Sequence, residues 1–599
     1  MTEATAIRQQ ETTQTTPTIH YQVAMSQPES HLFEVTLQVK GWQTSALDLK
    51  MPAWTPGSYL VREYARQVQD FFAEARDGQP LSSRKLSKNH WQIDTVDTES
   101  ASEITVRYRV FANELSVRTN HLDASHGYFN GAALFFFISG LEQHPIQVTI
   151  VPPKPDWHVT TPLPPVSGEI HTFEAKDFDT LVDSPFEIGT QQIYNFEVLG
   201  KPHQLAIWGR GNANPERIIE DTKKIIEVES QIYQGLPYQK YLFLLHLSGS
   251  GFGGLEHKNS CSLNYPRFGF RARDKYNRFM QLVAHEFFHL WNVKRIRPEA
   301  LETFDYEQEN YTTSLWFCEG TTSYYDGLIP LRAGIYDAKA FLKGLSKDIT
   351  RFQTTPGRKV QPLSESSFDA WIKLYRRDAN SDNNQISYYL KGAMVSLLLD
   401  LLIRARHENS LSLDDVMRQM WESFGKEEVG FTSQQLREVL ESVAQIDLGE
   451  FLQRYVDGTD ELPFNEYFQP FGLQVLGVED EEPTPRLGVK VATENGKETI
   501  KFVEADSPAG RAGIDAGDEL LAVDGMRVTA EQLSDRLKDY QADDTISVTV
   551  FHQDELQTHS VKLAQPQPSS YQIVPVDSPS DEQKKRFTDW LGEELTAIK

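Results

Sequence analysis

The sequence predicts a multidomain fold: an all-β N-terminal domain, a mostly α-helical middle domain and a C-terminal α+β module. Three observations carry this. A chain of 599 residues is too long for one hydrophobic core and divides into roughly three or four domains. Period-two alternation runs through residues 18–200, as in His-Leu-Phe-Glu-Val-Thr-Leu-Gln-Val at 31–39 and Ile-Thr-Val-Arg-Tyr-Arg-Val-Phe at 104–111. From about residue 215 the apolar spacing becomes helical, and at about 476 it returns to strands.

Residues 1–17 are polar, rich in Thr and Gln, and lack the basic start and apolar centre of a secretory leader; they read as a disordered tail. Residues 18–200 form the N-terminal β-sheet domain, a sandwich or saddle-shaped sheet. The turn-rich segment 52–59 lies inside it, with Trp54 read as core packing. The middle domain spans 201–472. It opens with a helix over 215–234 and a strand over 241–247; further helices follow over 275–294, 314–328 and 388–405. The C-terminal module covers 476–566, strands around one short helix near 531–540. Residues 567–580, rich in Pro, Ser and Gln, read as a linker, and a closing helix follows within 581–595, so that 567–599 is a linker and C-terminal helix.

Composition excludes several function classes. A formal charge of -26 repels phosphate and argues against a nucleic-acid partner. Two cysteines, Cys261 and Cys318, make no disulfide framework and point to a reducing compartment, with both read as buried thiols. The strongest apolar runs, 132–138 and 395–403, fall short of the roughly 18 residues that span a bilayer. The expectation is a soluble, cytoplasmic protein without membrane partners.

The chemistry concentrates in His285-Glu286-Phe287-Phe288-His289. Four residues exceed one helical turn only slightly, so His285 and His289 leave one face and can hold a single metal ion. Glu286 then points toward the open coordination position, where it can take a proton from water. In a chain with 16 His and 85 acidic residues, chance gives this spacing on the order of 0.06 times. A catalytic zinc takes three protein ligands and leaves a fourth position to water. The carboxylates downstream are Glu299, Glu302, Glu307, Glu309 and Glu319. The first four lie in an irregular acidic connection. Glu319 stands alone in an apolar, aromatic helix, where a carboxylate is costly to bury unless paired or metal-bound. The metal ligands are therefore read as His285, His289 and Glu319. Asp326, two turns beyond Glu319, is placed to orient a ligand histidine.

The pair His285-Glu286-Phe287-Phe288-His289 and Trp316-Phe317-Cys318-Glu319-Gly320 resembles the gluzincins, whose catalytic domain is thermolysin-like. Gly253-Gly254-Leu255-Glu256-His257 is similar to the Gly-x-Met-Glu-Asn exopeptidase signature of their aminopeptidase branch, with Leu255 and His257 standing where Met and Asn are commoner. Tyr388-Tyr389-Leu390-Lys391-Gly392 resembles the branch's Tyr-x-Lys-Gly motif. Residues 503–525, with Gly513, Gly517 and Asp524-Gly525 at turn positions, resemble PDZ domains of bacterial proteases. The order of these parts over residues 18–566 resembles the glycyl aminopeptidase family of gluzincins.

That resemblance implies a zinc aminopeptidase with one Zn2+ per chain, Glu286 as general base, Tyr389 as oxyanion stabiliser (Tyr388 being the alternative) and Glu256 as anchor for the substrate's α-ammonium. It implies peptides with a free N-terminus as substrates, small N-terminal residues such as Gly or Ala as preferred, and a peptide or protein C-terminus as a ligand of the PDZ module. Two alternatives stay open: a zinc endopeptidase in which Glu256 binds no amine, and a non-catalytic PDZ-bearing binding protein.

Overall fold

The computed structural model describes residues 16–95, 102–478 and 482–598. The expected disordered tail falls, up to residue 15, outside the described residues.

Alternation in the N-terminal region becomes alternate burial. Along Leu32–Lys40 the inward residues Phe33, Val35, Leu37 and Val39 are buried, while the residues between them are partly solvated. This strand pairs antiparallel with Thr18–Ala24 on one side and Glu103–Phe111 on the other, inside a six-stranded sheet. A four-stranded sheet containing Ala46–Lys50 and His90–Asp94 contributes to the same core. Trp54 is fully buried, in edge contact with Phe304 and Trp371, which makes it packing as expected. A smaller sheet holds His158–Thr160, Phe186–Gly189, His126–Phe129 and His121–Leu122. It faces the middle domain, where Tyr128 packs with Ala206, Leu242 and Leu244.

The expected boundary at residue 200 cuts through a hairpin. Gln192–Val198 pairs with Lys201–Trp208 across a turn at Leu199 and Gly200, both with positive φ. Lys201–Trp208 in turn runs parallel to Tyr241–Ser248. The middle domain thus begins near residue 192. Periodicity reports alternation only and cannot tell to which sheet a strand belongs.

The five strands of the middle-domain sheet run in the order Gln192–Val198, Lys201–Trp208, Tyr241–Ser248, Ser260–Pro266, Gly253–Glu256. Tyr241–Ser248 is buried at every position, in keeping with its unbroken apolar run between parallel neighbours. The helix Pro215–Tyr233 begins with Pro at its first turn and an Asn214 side chain that accepts from the Arg217 amide. Beyond it lie Arg273–Phe288 (the motif helix), a glutamate helix built from a π-turn at Trp316–Thr321 continued by Thr322–Arg332, and Tyr388–Arg406 (the tyrosine helix). Residues 381–406 are long and apolar enough to cross a bilayer, but 83% of the apolar window is buried inside this domain.

The C-terminal module has its own core, formed by Leu487, Ile500, Ile514, Val523, Val548 and Val561 among others. The expected linker over 567–580 is instead largely structured. Ser570–Pro575 pairs antiparallel with Leu473–Val478, and the Tyr571 and Ile573 amides donate to Thr350 and Ser346 of the helix Ala338–Gln353. Its apolar alternation is brief and flanked by prolines, which hid the strand. The closing helix Asp581–Leu591, capped reciprocally by Ser580 and Gln583, buries Phe587 and Trp590 back on the middle domain. The module is consequently inserted between two strands of one ribbon.

Candidate metal centre and active site

The motif helix buries Phe279, Met280, Val283, Ala284, Phe287 and Phe288, which fixes its rotation and turns His285, Glu286 and His289 toward a cavity of about 480 Å³. His289 closes the helix as its C-cap, one turn beyond His285; the two rings are 4.6 Å apart and nearly perpendicular. The Nδ1 atoms are both engaged: His285 donates to Asp326 Oδ2 at 2.9 Å and His289 to the Asn292 carbonyl at 2.6 Å. Each Nε2 therefore carries its lone pair toward Glu319 Oε2, at 3.6 Å from His285 and 3.2 Å from His289.

These separations test the donor set. Ligands at about 2.0–2.2 Å from a tetrahedral metal lie roughly 3.3–3.5 Å from one another, and the two nitrogens and the carboxylate meet that spacing with little movement. Burial opposes ionisation of Glu319, but His289 and His285 hold its pKa down at about 2, so it presents an anionic ligand. The residues fit a zinc ion.

Glu319 owes its position to two glycines. A Cβ on Gly320 would lie 2.5 Å from the Gly392 Cα, and one on Gly392 would lie 2.7 Å from the Trp316 carbonyl oxygen. The glutamate helix and the tyrosine helix thus touch backbone to backbone, which explains the glycine in both motifs. The π-turn exposes the Phe317 and Cys318 carbonyls, and the buried Asn292 amide donates to both, at 3.1 and 3.2 Å. Cys261 and Cys318 are both buried.

Glu286 is buried, and that burial is the main reason its carboxyl is raised to about 7, against the pull of His285 and His289. The Gly254 backbone lies directly on it: a Cβ there would sit 2.2 Å from the carboxyl carbon. Glu256, at the end of the edge strand Gly253–Glu256, is 3% exposed and has no hydrogen-bond partner for Oε1. Oxygens of Glu256 and Glu286 and a nitrogen of His289 all fall within 4.8 Å of one another. Tyr389 lines the cavity, its ring roughly parallel to His285 at 6.3 Å, whereas Tyr388 is wholly buried outside it. All six candidate residues named from the sequence converge here.

Four further residues escaped sequence reading. Tyr375 Oη lies 2.9 Å from Tyr389 Oη and 3.2 Å from Tyr388 Oη. Arg118 reaches in from the N-terminal domain and donates to the Gly254 carbonyl at 3.1 Å. Gly57, also N-terminal, packs its backbone on the Glu256 carboxylate in a left-handed conformation (φ +86°). Asn292 falls inside the expected helix 275–294, and a lone amide among Leu290, Trp291 and Val293 is the signal that could have marked it. A second cavity of about 520 Å³ lies between the domains, with several of its charges paired, as in Lys294–Asp183 at 2.6 Å, and it holds none of the candidate residues.

Comparison with known proteins agrees with this arrangement. A model of the peptidase M61 N-terminal domain matches residues 20–190, one of M61 glycyl aminopeptidase matches 278–395, and one of the PDZ domain matches 485–563. No curated protein matches the chain. Among solved structures, an M1 zinc metallopeptidase from Deinococcus radiodurans aligns at 14% identity with a TM-score of 0.47, over 75% of this chain and 94% of that one. An aminopeptidase N family protein from Idiomarina loihiensis aligns at 34% identity with a TM-score of 0.89, over 96% of this chain and the whole of that one. With three family models in this order and a relative matched over its full length, the chain belongs to the M61 glycyl aminopeptidase family of metallopeptidases and carries a C-terminal PDZ domain.

Proposed function

We propose that the protein is a zinc-dependent aminopeptidase that removes small N-terminal residues, Gly or Ala, from peptides. The observation that carries this reading is the Glu256 carboxylate, buried beside Glu286 and His289 and walled off by the Gly57 backbone. A cleft that ends on an unpaired carboxylate favours a free α-ammonium there, which puts the first peptide bond next to the general base. The close backbone around Glu256 supports small first residues.

His285, His289 and Glu319 would hold one zinc ion per chain. The chemistry zinc supplies when bound in such a site is Lewis acidity, which acidifies water and polarises a carbonyl. Glu286 takes the proton of the attacking water and delivers it to the departing amine. Tyr389 donates to the carbonyl oxygen as it becomes negative, and the Tyr375 hydroxyl, 2.9 Å from the Tyr389 hydroxyl, holds it in place. Arg118 fixes the Gly254 strand against Glu286. In the PDZ domain, Val489–Glu494 pairs on one side only among the described residues, and its open edge suits a peptide or protein C-terminus added as a strand.

The test is product analysis by mass spectrometry on one peptide in free and N-acetylated forms, with and without a chelator. Stepwise loss of N-terminal residues from the free form alone, abolished by the chelator, is expected. Equal cleavage of both forms would replace this reading by an endopeptidase one.

A further inference from the structure

A second cluster of potential metal ligands lies outside the active-site cavity, where the small N-terminal sheet meets the middle domain. One ring nitrogen each of His121 and His126 and a carboxylate oxygen of Asp123 fall within 4.8 Å of one another, the criterion that the active-site triad also meets. His121 Nε2 lies 3.2 Å from Asp123 Oδ2, a separation suited to two ligands of one ion.

Three details separate this cluster from ordinary polar packing. His126 is fully buried, and its Nδ1 donates to Glu187 Oε1 at 2.8 Å; the other carboxylate oxygen takes His246 Nε2 at the same distance. Glu187 is itself buried, so it stands to His126 as Asp326 stands to His285: it fixes the tautomer and leaves Nε2 with a lone pair. His126 Nε2 and His121 Nδ1 are both buried without a hydrogen-bond partner. Buried ring nitrogens are normally satisfied, and leaving one bare is costly. The scaffold is also shaped around the ring. Trp208 stacks on His126 with centroids 3.5 Å apart, and Gly189 lies opposite it in the sheet, where a Cβ would come within 2.9 Å of the His126 Cβ. On the other flank, Asp123 Oδ1 is held by the Ser125 amide and hydroxyl and by the His126 amide, which leaves Oδ2 for a ligand.

We infer that His121, Asp123 and His126 form a second divalent-metal site. Two imidazoles and a carboxylate select a borderline ion of the zinc class over magnesium or calcium, which take oxygen donors. His121 and Asp123 are partly solvated, so the ion has a path in and water can complete its shell. Such an ion staples the turn joining His121–Leu122 to His126–Phe129. Through Glu187 and His246 it ties the small N-terminal sheet to the central strand of the middle domain.

The test uses the full chain, stripped with chelator, re-equilibrated against buffered zinc and analysed for zinc per chain. The wild type is expected to hold two ions and His121→Ala one, with kcat/KM on a free-amine peptide unchanged. His126→Ala is expected to match, and Glu319→Gln to lose the other ion. Since His126 is fully buried and its truncation leaves a cavity, the decision rests on His121→Ala. Anomalous diffraction at the zinc edge places the second ion beside Asp123. A zinc count that does not fall by one in folded His121→Ala, or no anomalous peak at Asp123, overturns the site.

Discussion

Substituting Gly57 by Ala perturbs substrate selection from a residue that belongs to neither the metal site nor its domain. The added Cβ would lie 2.5 Å from Glu256 Oε1 and 2.6 Å from Oε2. An ordinary carbon–oxygen contact begins near 3.4 Å, so the carboxylate must retreat by about 0.9 Å. A charge-assisted hydrogen bond made to a displaced partner loses most of its worth, about 1.5–3 kcal/mol, which is roughly 10- to 150-fold in rate. Alanine at φ +86° also strains the backbone by about 1–2 kcal/mol. The assay is kcat/KM for a peptide and its N-acetylated twin, alongside zinc content and Tm. We expect the free-amine peptide to slow by at least roughly tenfold, the acetylated one to stay at its low rate, zinc to remain bound and Tm to drop. A free-amine kcat/KM within twofold of wild type, in a protein whose Tm has fallen, would refute the assignment of Glu256 as the amine anchor.

Three further outcomes are expected. Glu286→Gln should keep its zinc by elemental analysis and lose about 10²–10⁴-fold in kcat, since it removes the base and no ligand. Tyr389→Phe should cost about 2.7–4 kcal/mol, read in kcat with little change in KM; Tyr388→Phe should cost less, because Tyr388 does not line the cavity. Asp183→Asn should destabilise the protein by about 3–5 kcal/mol at neutral pH by leaving Lys294 unpaired. Burial works against the Asp183 carboxylate, but Lys294 and His257 depress its pKa below the usual range. A depressed pKa stabilises the fold above the unfolded-state value, so the gap between wild type and variant should be full above about pH 4 and shrink below it in pH-dependent urea unfolding.

The motif helix was legible because its two histidines and its buried face share one helical period, and Glu319 because a lone acid in an aromatic run needs a partner. The three domain textures were legible for the same reason, each having its own apolar period. Illegible parts are those set by contacts between distant segments. Gly57 and Arg118 come from turns in the N-terminal domain, where no periodicity marks a residue whose partner in the cavity lies some 140–200 positions downstream. The π-turn at Trp316–Thr321 depends on Asn292 and on the contact between Gly320 and Gly392, neither of which local propensity encodes. The strand Ser570–Pro575 finds its partner almost a hundred residues earlier, across an entire domain.

That last pairing changes how the PDZ domain can move. A module at the end of a flexible tail samples a sphere, and its ligand meets the cleft by chance encounter. Here the module leaves from Leu473–Val478 and returns at Ser570–Pro575, two adjacent strands of a ribbon pinned to the helix Ala338–Gln353. Two attachment points a strand apart define an axis, and rotation about that axis is the soft coordinate left to the domain. One stop on that arc is already visible: Asn383 donates to the Val503 carbonyl and accepts from the Ala505 amide, while Lys490 reaches Asp382 at 3.2 Å. Both partners lie in the short helix Ser381–Asn384, a few residues before Ser387 and Tyr389 at the cavity. A strand docked beside Val489–Glu494 would therefore act on a hinged plate whose far edge rests against the approach to the active site.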